Sequence, residues 1–174
     1  MSIYKVDFYE LCLDEGGIFY SEIYGLDKDE FNQWVRDNIK EINTIESYDD
    51  VVPNNELLDS ISKLGYEHIH YQCHYSAKAS SILNCEFKYY TGFVVRNSYP
   101  YPIITHSFNT VNGSIIDFAR INDLEDPFPY DTDSLPHIYY GIEIPRDFLL
   151  KYEQETLKNK SMKPLLSEWF LENN

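Results

Sequence analysis

The chain has 174 residues and a formal net charge of −15, from 29 acidic and 14 basic side chains. A chain of this length forms one domain and can bury a core without disulfides or a metal. An apolar share of 43% and an aromatic share of 16% exclude a disordered protein. The excess of acidic over basic side chains argues against binding nucleic acid by direct phosphate contact, because such binding needs a basic surface.

The cysteines and the N-terminus predict a cytoplasmic protein. Cys12, Cys73 and Cys85 are odd in number and irregularly spaced, so they form no disulfide framework and favour a reducing compartment. Charges at Lys5 and Asp7 interrupt any apolar core of a signal peptide. There is no apolar run of about 18 residues, so we expect no membrane partner.

The first part of the chain predicts a hairpin and two helices. In chain order we expect a strand at residues 3–11, a returning strand at 18–24, a helix from Asp27 to about Ile42, a polar loop at 43–53 and a helix at Asn55–Leu64. The first helix has an apolar stripe that predicts a core face: Phe31, Trp34, Val35, Asn38 and Ile42. The second has its predicted buried face at Leu57, Leu58, Ile61 and Leu64, with Gly65 as its stop.

The rest of the chain predicts one helix, a run of strands and two closing helices. The expected helix is Cys73 to about Leu83, and the expected strands are Phe87–Arg96, Ile103–Val111, Ser114–Ile121 and His137–Ile144. An acidic loop at 122–136 precedes the last strand, and helices follow near 146–158, opened by Pro145, and at Pro164–Leu171. This order predicts a single α+β domain over residues 1–174, with parts at 1–65, 66–152 and 153–174.

A tight hairpin is predicted at Asn112-Gly113, the strongest short signal for a two-residue turn. With these two residues as the loop, Val111 faces Ser114 and Phe108 faces Asp117. His106 then lies diagonally from Asp117 on the same face, about 7–8 Å away between backbones and within reach of side chains. The spacing therefore lets Asp117 contact the imidazole ring of His106.

Three residues have the chemistry of a cysteine nucleophile and its base. Cys73 begins a predicted helix, where the partial positive charge of the N-terminus lowers a thiol pKa. His106 is a candidate general base and acid, and Asp117 a candidate carboxylate that orients the ring. The alternative for each is an ordinary structural role, as a small buried residue, a strand histidine and a turn-flanking acid.

This order of residues resembles the transglutaminase-like branch of the papain-like cysteine fold, in which Cys, His and Asp follow one another along the chain. It also resembles a group of uncharacterised, often phage-borne proteins. The matching positions are Gln72-Cys73, Ala77, Tyr89 or Tyr90, Gly92-Phe93, His106, Asn109, Gly113, Ile116-Asp117, Tyr140-Gly141 and Ile144-Pro145. The departures are Ser107-Phe108 in place of Ala-Trp and Phe118-Ala119 in place of Pro-Thr.

The resemblance implies a papain-like/transglutaminase-like core at residues 66–152, with the helix led by Cys73 packed on an antiparallel sheet. The reaction would be acyl transfer or amide hydrolysis through a thioester, on a peptide, a protein or a small amide. No cofactor or metal is needed for it. Gln72 is a candidate oxyanion donor beside the Cys73 backbone N–H, and Tyr90 and Asn109 are candidate substrate-binding residues.

Two groups of side chains are alternative metal sites, one for zinc and one for calcium. His68, His70, Cys73 and His74 are possible zinc ligands, but their spacing matches no ordinary zinc motif. The acidic loop Asp123, Glu125, Asp126, Asp131 and Asp133 lacks the spacing and the glycine of an EF-hand loop. We therefore predict no metal.

The alternative function is that of a non-catalytic acidic protein. A chain with this charge can block a basic host partner or mimic DNA, and it would act in the host cytoplasm if phage-encoded. The triad would then be vestigial or structural.

Overall fold

Six α-helices and five β-strands make up the described part of this α+β protein. The computed structural model describes residues 27–51, 53–64, 72–96, 103–118 and 135–174. The helices are α1 (Lys28–Asn38), α2 (Asn55–Ser62), α3 (Cys73–Leu83), α4 (Arg146–Leu150), α5 (Glu153–Asn159) and α6 (Leu166–Asn173). The strands are β1 (Lys40–Ile45), β2 (Lys88–Arg96), β3 (Ile103–Val111), β4 (Ser114–Ile116) and β5 (His137–Ile144), and a 3₁₀ turn spans Tyr48–Asp50.

Several predictions fall on other parts of the chain. The strands at 3–11 and 18–24, the segment 66–71 and most of the acidic loop at 122–136 lie outside the described residues. Among the helices that the structure does describe, none is both long enough and apolar enough to span a membrane.

The five strands form one antiparallel sheet in the order β1-β5-β2-β3-β4. This confirms the α+β class expected from the sequence. β2 is the central strand, because β5 pairs along one side of it and β3 along the other. Successive side chains of β2 point to opposite faces. Phe93 packs among the helices, whereas Val94 packs with Phe108 and Tyr139 on the other face.

The hairpin of β3 and β4 has the predicted register. Val111 faces Ser114, and both Asn112 (φ 52°) and Gly113 (φ 83°) have the positive φ that a type I′ turn requires. β4 is shorter than expected and ends at Ile116 rather than Ile121. The reason is that the backbone N–H of the next residue, Asp117, donates to the Val51 carbonyl at 2.8 Å and so leaves the ladder with β3.

Helix α1 begins as predicted and ends sooner. The Asp27 side chain accepts a hydrogen bond from a backbone N–H of the first turn at 3.0 Å, which is an N-cap. The helix ends at Asn38 instead of near Ile42, because Ile39 has extended backbone dihedrals and residues 40–45 pair with β5. That pairing satisfies the backbone groups that a longer helix would have used.

The predicted apolar stripe of α1 is therefore only partly correct. Phe31 and Val35 are buried, and Trp34 packs against the same core. Asn38 is exposed at the end of the helix, and Ile42 lies on β1 instead. The polar loop expected from residue 43 begins only after that strand.

The remaining helices also differ from the sequence predictions at their ends. α2 ends at Ser62, so Leu64 is 52% exposed rather than buried. The helix predicted near 146–158 is two helices, since the backbone of Tyr152 (φ −111°, ψ 17°) leaves the helical range between α4 and α5. α6 begins at Leu166, because Leu165 has a left-handed backbone (φ 66°).

Helix α3 is buried along most of its length and is held at several points. On β3, Asn109 Nδ2 donates to the Ala77 carbonyl at 2.9 Å and to Ser81 Oγ at 3.0 Å. At the C-terminal end of α3, Arg146 donates to the carbonyls of Ser81 (2.9 Å) and Ile82 (2.8 Å). The helix dipole also stabilises a positive charge at this end. These contacts fasten the middle and the C-terminal end of α3 to β3 and α4.

Gly92 lies where β2 passes close to β5, and replacing it by alanine is expected to destabilise the protein strongly. An added Cβ would lie 2.2 Å from the Tyr140 carbonyl oxygen, so the two strands would have to separate. We expect a loss of about 3 kcal/mol in the free energy of unfolding, the upper end of what overpacking costs. Urea unfolding measures this loss.

The matched control is Gly113→Ala in the exposed turn. There an added Cβ meets nothing within 4 Å, and the left-handed backbone alone costs about 1–2 kcal/mol. An equal or smaller loss in Gly92→Ala would contradict the close approach of β2 and β5.

Candidate active site

Cys73 is the first residue of α3 and is a partly exposed residue with a free thiol. The first N–H groups of a helix have no intrahelical acceptor, so they present partial positive charge to this side chain. The first turn has no acidic residue that would cancel that charge. Both the position and the electrostatics therefore favour a thiolate, as the sequence predicted.

His106 is buried on β3 and contacts Asp117. Its Nε2 lies 2.6 Å from Asp117 Oδ2, which confirms the contact predicted from the hairpin register. The ring is 4% exposed and packs against Phe108 and Tyr139, with ring centroids 6.5 and 5.9 Å away. With Nε2 bound to the carboxylate, Nδ1 is the nitrogen available to a second partner.

The carboxylate of Asp117 is buried and is held by two donors. Oδ2 accepts hydrogen bonds from His106 Nε2 and from the hydroxyl of Tyr139 at 2.8 Å. A buried carboxylate needs such donors to offset its loss of water. Tyr139 was not among the predicted site residues. Nothing local indicated it, because β2 and β3 lie between β5 and β4 in the sheet, Asp117 follows β4, and the contact joins residues 22 positions apart.

The thiol of Cys73 and the ring of His106 form a mutually stabilised pair. Burial raises the pKa of Cys73, but the charge and hydrogen bond of His106, followed by those of His74, lower it to about 5. Burial lowers the pKa of His106, but the charges of Asp117 and Cys73 and their hydrogen bonds raise it to about 9. The reactive thiolate and its imidazolium partner therefore coexist across the neutral pH range.

The pair formed by Cys73 and His106 lies at the outer edge of β3. β4 pairs only with residues 109–111 of β3, so no strand among the described residues covers the edge at residues 103–108. Consecutive strand residues point to opposite faces. His106 and Ser107 therefore point to opposite faces of β3. The first turn of α3 contacts both side chains, since Cys73 interacts with His106 and His74 with Ser107. These contacts place the N-terminus of α3 at the uncovered edge.

His74 belongs to this site, although the sequence suggested it only as one of several possible metal ligands. Its Nδ1 lies 2.5 Å from Ser107 Oγ, and the residue is 9% exposed. The only sequence signal was the Cys73-His74 pair at the start of a helix. Its partner on β3 is 33 residues away and could not be chosen from spacing alone.

Gln72 precedes the helix without capping it. Its side chain makes no capping hydrogen bond, and its Oε1 is buried with no partner in the described part of the chain. A rotation about the last side-chain bond exchanges this oxygen for the amide nitrogen. Gln72 therefore has an uncommitted polar end beside Cys73, and its oxyanion role stays a prediction.

The two predicted substrate-binding residues have different surroundings. Tyr90 is partly exposed, stacks on Phe108 with centroids 5.6 Å apart, and donates to Glu143 Oε2 at 3.1 Å. Its pKa is raised by burial and by the Glu143 charge. Asn109 is fully buried, and its amide nitrogen is committed to α3 and to the Lys88 carbonyl. Its position is that of a residue that fastens the helix to the sheet.

Metal ligands do not cluster in the described ranges, where no group of three or more His, Cys, Asp or Glu side chains is placed to hold an ion. His68, His70 and the acidic loop from Asp123 to Asp133 lie outside those ranges.

Compared with protein-family models, with curated proteins and with solved structures, the chain matches none of them.

Proposed function

We propose that the chain is a cysteine-nucleophile enzyme that transfers or hydrolyses acyl groups, with a papain-like/transglutaminase-like core. The observation that carries this proposal is the connected set Cys73–His106–Asp117, in which the base is 2.6 Å from its carboxylate and the thiol pKa is lowered to about 5. A nucleophile, a base and a group that orients the base are the parts such catalysis needs. The resemblance in the order Cys, His, Asp supports the same reading.

In the proposed acylation step, the Cys73 thiolate attacks the carbonyl carbon of an ester or amide. A C–S bond forms, and the electron pair of the C=O bond moves to oxygen at the N-terminus of α3, where backbone N–H groups and Gln72 are the candidate donors. As the tetrahedral intermediate collapses, the bond to the leaving group breaks. His106 gives its proton to the departing nitrogen or oxygen, and a thioester on Cys73 remains.

Deacylation completes the proposed cycle. Water or an amine attacks the thioester carbon, the neutral His106 ring takes its proton, and the C–S bond breaks with its electron pair returning to sulfur. Water as the acceptor gives hydrolysis, and an amine gives acyl transfer. The thiolate is again paired with His106, whose charge is stabilised by Asp117.

Trapping the acyl-enzyme tests this function. With the intact protein and p-nitrophenyl acetate, quenched in acid, we expect the mass of one acetyl group on Cys73. Cys73→Ala should lose it and Cys85→Ala should keep it, because Cys85 is exposed and lies outside the site. A panel of fluorogenic peptide amides, with and without a primary amine, then separates hydrolysis from transfer. An acetyl group that appears equally on Cys73 and Cys85 would contradict the proposal.

The net charge of −15 favours a second candidate, an acidic protein that binds a basic partner without catalysis. Such binding would weaken steeply with salt, since exposed charges are screened within about 10 Å at 0.1 M ionic strength. It would be unchanged by Cys73→Ala. Absence of any acyl-enzyme, together with salt-sensitive capture of a basic protein by the Cys73→Ala variant, would favour this candidate.

A further inference from the structure

A chain of hydrogen bonds leads from the first turn of α3 into the core through His74. His74 Nδ1 is 2.5 Å from Ser107 Oγ, which is 3.1 Å from the hydroxyl of Tyr89. That hydroxyl donates to the Pro164 carbonyl at 2.9 Å. His74, Ser107 and Tyr89 are all buried. The chain therefore joins the start of α3, through β3 and β2, to the segment between α5 and α6.

The far end of this chain fixes the direction of each hydrogen bond. A carbonyl oxygen only accepts, so Tyr89 spends its one hydroxyl proton on Pro164. The Tyr89 oxygen then accepts from Ser107, which has no other proton to give. Ser107 can therefore only accept from the imidazole ring, and Nδ1 of His74 carries a proton.

The same ring also acts on the sulfur of Cys73. His74 follows Cys73 in the first turn of α3, and its side chain stabilises the thiolate by a hydrogen bond and by positive charge. Because Nδ1–H is directed to Ser107, the proton that faces the sulfur is the one on Nε2. A ring that donates at both nitrogens is the charged imidazolium. The ring therefore joins the thiolate to the hydrogen-bonded chain.

The two imidazoles at the sulfur have different tasks in the proposed reaction. His106 is held by the Asp117 carboxylate and gives its proton to the leaving group during acylation. Both N–H groups of His74 are committed, one to the sulfur and one to Ser107, so acylation does not use its protons. Among the described residues, these two histidines are the titratable groups that act on the thiol, and Asp117 acts through His106.

We propose that His74 is a second catalytic residue, a hydrogen-bond donor to the Cys73 sulfur, and that Ser107 and Tyr89 are the positioning residues that hold its ring in this role. The catalytic part rests on the proposed function. Negative charge leaves the sulfur when the C–S bond forms in acylation, and it returns when that bond breaks in deacylation. A charged donor that touches the sulfur stabilises the anion at both ends of the cycle. It therefore extends the ionised nucleophile to lower pH.

His74→Asn tests the donor through the pH profile of Cys73 alkylation by iodoacetamide. The asparagine amide can still donate to Ser107, but the variant has no positive charge and no donor at the place of Nε2. We expect the midpoint to rise from about pH 5 to about pH 6, the smaller end of what one opposite charge does to a pKa. In acyl-enzyme formation from p-nitrophenyl acetate, the rising limb of the pH–rate profile should move by the same amount. The falling limb near pH 9 belongs to His106 and should not move.

Tyr89→Phe tests the positioning residues without changing His74. Without the Tyr89 hydroxyl, Ser107 can donate to Nδ1 of the ring, which competes with the doubly protonated form. The alkylation midpoint should then rise, but less than in His74→Asn. The matched control is Ser81→Ala, which removes a hydrogen bond from Asn109 near the other end of α3 and should leave the midpoint near pH 5. An equal shift in Ser81→Ala would mean that the general packing of α3 sets the midpoint, which would overturn the proposal.

NMR of the imidazole N–H groups tests the two donors directly. In the wild type at pH 6, both N–H protons of His74 should be protected from solvent exchange. In Cys73→Ala, which removes the acceptor sulfur, Nε2–H should exchange with solvent, whereas Nδ1–H should stay protected because Ser107 still accepts it. An Nε2–H signal that Cys73→Ala leaves unchanged would overturn the proposal, even if His74→Asn did not fold.

The possible failures are distinguishable. If the midpoint in His74→Asn stays near pH 5, His74 does not act on the sulfur and the inference is wrong. If His74→Asn moves the midpoint and Tyr89→Phe does not, the positioning role of Tyr89 and Ser107 is wrong. If both midpoints move as expected but the wild type forms no acyl-enzyme on Cys73, the proposed function is wrong. His74 then loses its catalytic role and keeps its contact with the thiolate.

Discussion

Replacing His106 by glutamine is expected to move the midpoint of Cys73 alkylation by iodoacetamide from about pH 5 into the ordinary thiol range, near pH 8.5. The amide nitrogen of glutamine can donate to Asp117 as Nε2 of His106 does, which keeps the buried carboxylate hydrogen-bonded. The variant removes the positive charge beside the thiol and leaves its burial, which then raises the pKa unopposed except by His74 and the helix N-terminus.

Two opposing effects set the size of the change at pH 6. The thiolate fraction falls about 300-fold when the pKa rises from 5 to 8.5. A more basic thiolate is also a better nucleophile, which recovers about 30-fold. The net loss of alkylation rate is therefore about tenfold, so the midpoint of the pH profile is the more sensitive measurement.

Cys85 in the same sample is the internal control, because it is exposed and far from this chemistry. Peptide mass spectrometry resolves its labelling from that of Cys73. The rate at Cys85 should be the same in both proteins. If the midpoint for Cys73 is near pH 5 in the variant as well, or near pH 8.5 in the wild type, the His106–Cys73 pair does not exist in solution.

Replacing Asp117 by asparagine is expected to lower activity about 10⁴-fold, as neutralising the orienting acid does in other triads. Against the lowering effect of burial, the Asp117 carboxylate and, after it, the Cys73 thiolate raise the pKa of His106 to about 9. In the wild type, the imidazolium and hence the reactive pair should be lost above that pH. Without the carboxylate, only Cys73 opposes burial, so the pKa of His106 falls toward its ordinary value near 6.5. The falling limb of the pH–rate profile should therefore move from about 9 to lower pH.

Tyr139→Phe is the matched control for the carboxylate. It keeps the 2.6 Å contact between Asp117 and His106 but removes the 2.8 Å hydrogen bond from the tyrosine hydroxyl. We expect a loss of about 1.5–3 kcal/mol in stability, as for a hydrogen bond to a charged group. The falling limb should stay near pH 9. If Tyr139→Phe lowers activity and shifts the limb as much as Asp117→Asn, the carboxylate charge is not the deciding factor.

The local chemistry of the sequence determined the helix led by Cys73 and the hairpin that joins His106 to Asp117. The helix has the predicted bounds Cys73–Leu83, and the turn at Asn112-Gly113 fixes the register of β3 and β4. Both depend on interactions between residues near one another in sequence, where periodicity and turn preference are informative. The diagonal contact followed from that register without any knowledge of the other strands.

Where the local sequence patterns gave a wrong prediction, interactions between distant parts of the chain decided the structure. The apolar stripe of the predicted helix ends at Ile42, but residues 40–45 form β1 because β5 offers an edge to pair with. No feature within residues 27–45 could indicate that edge. In the same way, β4 ends early because Asp117 binds the Val51 carbonyl, a partner from a different part of the chain.

The sequence by itself therefore predicted the helix that begins at Cys73, the contact between His106 and Asp117 and the α+β class, and the tertiary structure decided what supports them. Tyr139 reaches Asp117 across 22 residues, Ser107 reaches His74 across 33, and Pro164 reaches Tyr89 across 75. Spacing constrains contacts within one helix or one hairpin, because only there does the backbone geometry repeat. Contacts over longer separations depend on strand order and on the packing of α3 over the sheet, which no short stretch of sequence encodes.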